Sequence, residues 1–136
     1  MAGQKIIKYS LEHFRKDGIS EEAFLKWFQE YHLPYGVPLM KKHGVVKYAV
    51  HTRVPPLCDA FQDIIEKIRP GWEVSKADLV LEYWMPDLSC LNSLIEDPDW
   101  NGKAVKGQED WLDMSRSTIH IGYETTYLED GNVVNL

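Results

Sequence analysis

Five histidines, His13, His32, His43, His51 and His120, are the side chains of this sequence best suited to give and take protons near neutral pH. Their spacing speaks against a metal centre. No pair stands four apart on a helical stretch, and neither H-x-H nor H-E-x-x-H occurs. His32 is the most pointed of the five. It closes the run "FLKWFQEYH" two residues before Pro34, and proline excludes the helical conformation from its predecessor. The expectation is a helix halted at His32, with the imidazole either capping backbone carbonyls or aimed from the helix end into a ligand cavity. Tyr35 lies off the apolar stripe of that run and is free to donate a hydrogen bond, so it is the substrate-binding candidate beside His32.

The other histidines read differently. His51 in "VVKYAVHTRV" and His120 in "STIHIGYETTYL" fall in mid-strand, where a histidine is either a hydrogen-bonded interior group or a proton carrier facing a cavity. His43 sits at a helix C-terminus, where the dipole favours it. His13 ends a strand beside Arg15 and Lys16 and reads as solvated. Asp113 precedes the last strand near Arg116, either as an ion pair or as a group that orients a catalytic histidine. Tyr83 and Trp84 are adjacent on one strand, so they point to opposite faces and only one of them lines a given cavity.

These candidates are carried by a regular succession of elements. In residues 5–14, Ile7, Tyr9 and Leu11 alternate with Lys8, Ser10 and Glu12, the period of a strand. Ser20, followed by Glu21 and Glu22, marks a helix start. Phe24, Trp27, Phe28 and Tyr31 then make a single apolar stripe. Pro38 opens a second helical piece that Gly44 stops. A strand over 45–54 ends at Pro55-Pro56, and Leu57, Phe61, Ile64 and Ile68 form the stripe of another helix. A strand is predicted over 77–85, a helix on Leu88, Leu91, Leu94 and Ile95, a further helical segment in "KAVKGQEDWLDM", and a last strand over 117–128 before a polar tail.

The order is β-α-β-(α)-β-α-(α)-β within one domain over residues 1–136. That is an α+β, ferredoxin-like β-α-β-β-α-β plan with one helix inserted between strands two and three. Its sheet has helices for one face only. The alternation puts His51, Val80, Trp84, Thr118 and His120 on the second face, too mixed to leave wet and too polar for a plain core. Pairing two such sheets as a homodimer would cover it and enclose a cavity.

Composition narrows the function. The chain is 44% hydrophobic and 12% aromatic, with five Trp, seven Tyr and four Phe, enough for a packed core and an aromatic pocket. A net charge of −6 with scattered basic residues disfavours nucleic acid and anionic membranes. The N-terminal apolar run is too short for a signal peptide or a span. Cys58 and Cys90 form no C-x-x-C, so two reduced thiols and a cytoplasmic setting are expected. No phosphate-binding glycine loop and no G-x-S-x-G occurs.

Four stretches carry a resemblance: "GISEEAFLKWFQEYHLPYG" (18–36), "HGVVKYAVHT" (43–52), "ADLVLEYWMPDL" (77–88) and "EDWLDMSRSTIHIGYETTYLEDGNVV" (109–134). Together they resemble the EthD-type dimeric α+β barrel proteins, in particular the fungal branch that tailors polyketides. The resemblance implies cofactor-independent lyase chemistry on an aromatic polyketide. The helix-end histidine of that pattern, aromatic-x-x-x-His-x-Pro, falls on His32, while Tyr35-Gly36 departs from a more apolar continuation. The expected activity is decarboxylation of a polyketide acid, with His32 as general acid, Tyr35 on a phenol or carbonyl oxygen, and His51 or His120 polarising the far end. The alternatives are a dehydratase or cyclase, and a barrel that only binds its ligand.

Overall fold

Four antiparallel strands, β1 (Ile6–His13), β2 (Lys47–Thr52), β3 (Leu79–Met85) and β4 (Thr118–Glu124), form one sheet in the order β2-β3-β1-β4. The computed structural model describes residues 5–136. The register aligns side chains in rows across the sheet. Tyr48, Tyr83, Tyr9 and Ile121 make one row on one face, and Val50, Leu81, Leu11 and Ile119 make the next. On the opposite face the rows run Lys47, Trp84, Lys8, Gly122, then Ala49, Glu82, Ser10, His120, then His51, Val80, Glu12, Thr118. The mixed second face expected from the alternation is therefore present.

Over β1 and β3 the apolar face is covered by one long helical run, while Ile119, Ile121 and Tyr123 of β4 stay exposed. Ser20 Oγ accepts the Ala23 N–H at 3.1 Å and starts α1 (Glu21–Trp27), whose first turn carries Glu21 and Glu22. The run does not stop at His32. It widens into a π-helical turn over Phe28–His32 and continues as α2 (Leu33–Lys42). The expected proline stop fails for a local reason. The Leu33 N–H reaches back five residues to the Phe28 carbonyl, so the hydrogen-bond ladder has already slipped. Pro34 then occupies the first turn of α2, where a missing donor is tolerated. The second expected piece, opened by Pro38, is absorbed into the same helix. Gly44 does end it, at φ +92°, and a Cβ there would meet Cys90 Sγ at 3.1 Å.

Helix α4 (Ser89–Glu96) completes the layer with Leu94 fully buried. The core lies between this layer and the sheet, built on Phe24, Phe28, Met40, Leu79, Leu81 and Met85. The segment expected to be a further helix makes only a π turn (Trp100–Ala104) and a 3-10 turn (Gln108–Asp110), broken at Gly107 with φ +74°. The expected tail folds back as a hairpin of β5 (Leu128–Glu129) and β6 (Asn132–Val133) about Asp130-Gly131, both at positive φ. The inserted helix α3 (Pro55–Ile68) has no buried residue, and its stripe of Leu57, Phe61, Ile64 and Ile68 stays exposed.

Candidate active site

Between the helical layer and the sheet lies a cavity of about 290 Å³. The sheet contributes Tyr9, Leu11, Leu81 and Tyr83, the helical run contributes Trp27, Phe28 and His32, and Trp100 closes one side. Its lining contains no Asp, Glu, Lys or Arg. The polar groups are His13, His32, Ser117, Gln108 and the two tyrosines. An apolar enclosure with a few convergent polar groups suits a flat organic ligand.

His32 is 5% exposed and held on all sides. Its ring stacks on Phe28 at 5.2 Å between centroids and meets Trp100 edge-on at 5.8 Å. Its Nδ1 lies 2.8 Å from the Ala104 carbonyl oxygen, which only accepts, so Nδ1 carries the proton and donates it. Nε2 keeps its lone pair and has no hydrogen-bond partner among the described residues. Burial pushes the imidazole pKa below its ordinary value, and the bond to Ala104 offsets only part of that.

His13 is the second imidazole of the cavity. It is 8% exposed, and its Nδ1 lies 2.9 Å from Ser117 Oγ. Burial first, and the nearby His32 second, lower its pKa to about 4. Both histidines are therefore neutral at neutral pH, poised as bases. Burial raises the phenol pKa of Tyr9 and Tyr83, so both stay protonated and able to donate.

The structure gathers some of the residues singled out from sequence and separates others. His32 and Tyr83 line the cavity. Trp84 lies on the opposite face, between Lys8 Nζ at 4.9 Å and Lys47 Nζ at 4.5 Å from its ring centre. His51 and His120 share that opposite face. His51 Nε2 stands 3.7 Å from Glu82 Oε1, so neither histidine joins His32 across the cavity. The reason is topological: the helices roof the Tyr9 face, and the cavity forms under the roof. Tyr35 is 46% exposed, packs edge-on to Tyr31 at 5.3 Å and does not line the cavity. Asp113 bonds Ser115 through Oδ1 rather than pairing with Arg116, whose guanidinium lies 4.0 Å from the Phe14 ring centre.

The expectation that His13 is solvated fails, for it is buried on the apolar face of the sheet. Extending Ile7, Tyr9, Leu11 by one step puts it on the apolar face. His43 caps the C-terminus of α2, where it was expected, and its Nε2 also donates to Asp97 at 2.7 Å, with Lys42 joining the same carboxylate. These contacts hold the Asp97 carboxyl well below the usual carboxylate range. Among the described residues, no three His, Cys, Asp or Glu side chains converge as a metal site. Cys58 and Cys90 are free thiols, and no described helix is long and apolar enough to cross a membrane.

The EthD domain profile matches residues 16–115, which spans the helical run, β2, the inserted helix, β3 and α4. The chain belongs to the EthD-domain family. The EthD-domain protein is 51% identical over 136 residues to the dehydratase iacD of Pestalotiopsis fici, covering 100% of this chain and 98% of that one. It is 24% identical over 125 residues to a decarboxylase of Emericella nidulans, covering 88% and 78% of the two chains. A Bacteroides fragilis structure described as a dimeric protein of unknown function with a ferredoxin-like fold superposes with a TM-score of 0.58 at 12% identity, over 88% of this chain and 96% of that one. The fold is ferredoxin-like α+β.

Proposed function

We propose that this EthD-domain protein is a lyase that eliminates water from a hydroxylated polyketide-type intermediate without a metal or organic cofactor. One observation carries the reading: two buried, neutral imidazoles line a cavity free of formal charge. His32 Nε2 takes the proton from the carbon beside a carbonyl. The electron pair moves into the carbonyl as an enolate, and Tyr9, Tyr83 or the Ser117–His13 pair donates a hydrogen bond to that oxygen. The enolate re-forms the carbonyl, the β carbon–oxygen bond breaks, and the His32 imidazolium returns its proton to the leaving hydroxyl. Water and a new carbon–carbon double bond result, and His32 ends neutral.

Decarboxylation, the first expectation from sequence, fits this environment less well. A substrate carboxylate would meet no cation in the cavity. It stands as the second reading, because a relative bears the name decarboxylase. The more similar relative bears the name dehydratase, in keeping with elimination. We propose also that the protein is a homodimer, as the Bacteroides fragilis protein is described, with the second sheet face in the contact.

The test is turnover of a β-hydroxy aryl ketone, followed by mass spectrometry for loss of water against loss of carbon dioxide. Wild-type protein is expected to release water. His32→Gln is expected to lower kcat by at least ~10²-fold, the low end for a general base. Carbon dioxide release would favour the second reading. Tight binding with no turnover in either protein would leave a ligand-binding barrel.

A further inference from the structure

A second concavity, of about 310 Å³, lies where the loops at one end of the sheet meet. Arg15 and Lys16 follow β1, Arg53 follows β2, Lys76 and Asp78 precede β3, and Arg116 precedes β4. Five cations and two acids, Asp17 and Asp78, line it, in a chain whose net charge is −6. Asp78 is already committed. Its Oδ1 accepts from Arg15 Nε at 3.1 Å, and its Oδ2 accepts the Arg15 backbone N–H at 2.8 Å. Arg15 is further tied to the Ile19 carbonyl at 2.7 Å, so this pair acts as a strut for the loop.

The other four cations have no such partner. Among the described residues, Lys16, Arg53, Lys76 and Arg116 form no ion pair. Lys16 reaches only the Glu109 carbonyl, at 3.4 Å, and Arg116 lies over Phe14. The Arg53 Nε is sealed from solvent with no acceptor, an unmet donor on a permanently charged group. Like charges gathered in one concavity repel, and an anion placed among them relieves the repulsion. Guanidinium forks suit the paired oxygens of a phosphoryl or carboxylate group.

The position of this concavity matters. Phe14 and Arg116 line it, and their chain neighbours His13 and Ser117 line the apolar cavity. Consecutive Cα atoms are about 3.8 Å apart, so at these two junctions one peptide unit separates a residue of one lining from a residue of the other. We propose that the loop concavity is an anion subsite, holding the phosphoryl or carboxylate group of a ligand whose uncharged ring enters the apolar cavity. The anion subsite stands on charge placement alone. The ring's entry rests on the reading of the cavity as the substrate site.

The test is amide NMR of the intact protein titrated with inorganic phosphate, acetate, phenyl phosphate and benzoate. Phosphate or acetate is expected to give saturable shifts confined to residues 14–19, 53, 76–78 and 116. Whichever of the two saturates identifies the oxyanion as phosphoryl or carboxylate. Phenyl phosphate or benzoate is expected to shift His13 and Ser117 as well. Arg53→Gln and the exposed Lys76→Gln, each checked for an unchanged melting temperature, are expected to weaken binding at least ~10-fold. Lys103→Gln, outside the pocket, is expected to change nothing. Absence of saturable shifts with both simple anions, or shifts untouched by both pocket variants, would overturn the subsite. Anion binding without any shift at His13 and Ser117 would overturn only the ring's entry, and it leaves the water-elimination assay free to succeed or fail separately.

Discussion

His13 and His32 give the site its pH behaviour, because burial disfavours their charged forms. The free imidazole value is about 6.5, and the folded His13 value is about 4. In acid the unfolded chain takes up a proton that folded His13 refuses. The stability that neutral His13 supplies is thus complete above pH 6.5 and is lost as the pH falls from 6.5 towards 4. The loss from this residue is about 3 kcal/mol. Urea unfolding at a series of pH values is expected to show it, and His13→Gln is expected to flatten the slope in that window. Equal slopes in the two proteins would contradict the burial of a neutral His13. Catalysis moves with the same shift. If His32 is the base, the acid limb of kcat/KM lies below 6.5, and a limb at or above 6.5 would exclude it. His32 was conspicuous in sequence through its prolines, whereas His13 was hidden by the charged residues that follow it.

The helical run shows how an element positions a base. A regular α-helix would seat a proline badly at 34, for it removes one backbone bond and crowds the carbonyl four residues back. The π turn over Phe28–His32 absorbs that defect and fixes the side of the helix on which His32 emerges. Pro34→Ala restores a donor that can close a regular bond to the Glu30 carbonyl. The variant is expected to melt no lower than wild type yet to lose turnover, because a slipped ladder would turn His32 away from the cavity. Unchanged turnover would show that the π turn does not position it. Strands and helix stripes were legible because alternation and 3.6-residue periods are local. The Ser20 cap and the Gly44 stop were legible for the same reason. Whether Pro34 ends a helix or is absorbed depends on tertiary packing of Phe28 and His32, which no local pattern carries. Which sheet face the helices cover is equally non-local, and that choice separated His51, His120 and Trp84 from His32.

At the scale of the whole molecule, one chain leaves too much apolar surface unmatched. The α3 stripe and the β4 residues Ile119, Ile121 and Tyr123 are all about half exposed or more. Each of these two exposed apolar stripes suits an interface. The second sheet face adds charges of both signs, with Lys8 bridging Glu82 at 3.2 Å and Glu124 at 3.6 Å, and Lys47 over Trp84. A two-fold axis through such a face brings the patch against its own copy, and a face with charges of both signs can pair unlike charges across that axis, the isologous contact of a C2 dimer. Sedimentation equilibrium at micromolar concentration is therefore expected to give twice the 15.8 kDa chain mass. Two paired variants separate the surfaces. Phe61→Asp with Ile64→Asp is expected to yield monomer if α3 embraces the partner. Trp84→Ala with Lys47→Glu is expected to do so if the sheet face is the seat of the contact. A wild-type monomer at that concentration would remove the dimer and, with it, any barrel made of two sheets. The cavity would stand, because the helical run and the sheet of a single chain suffice to form it.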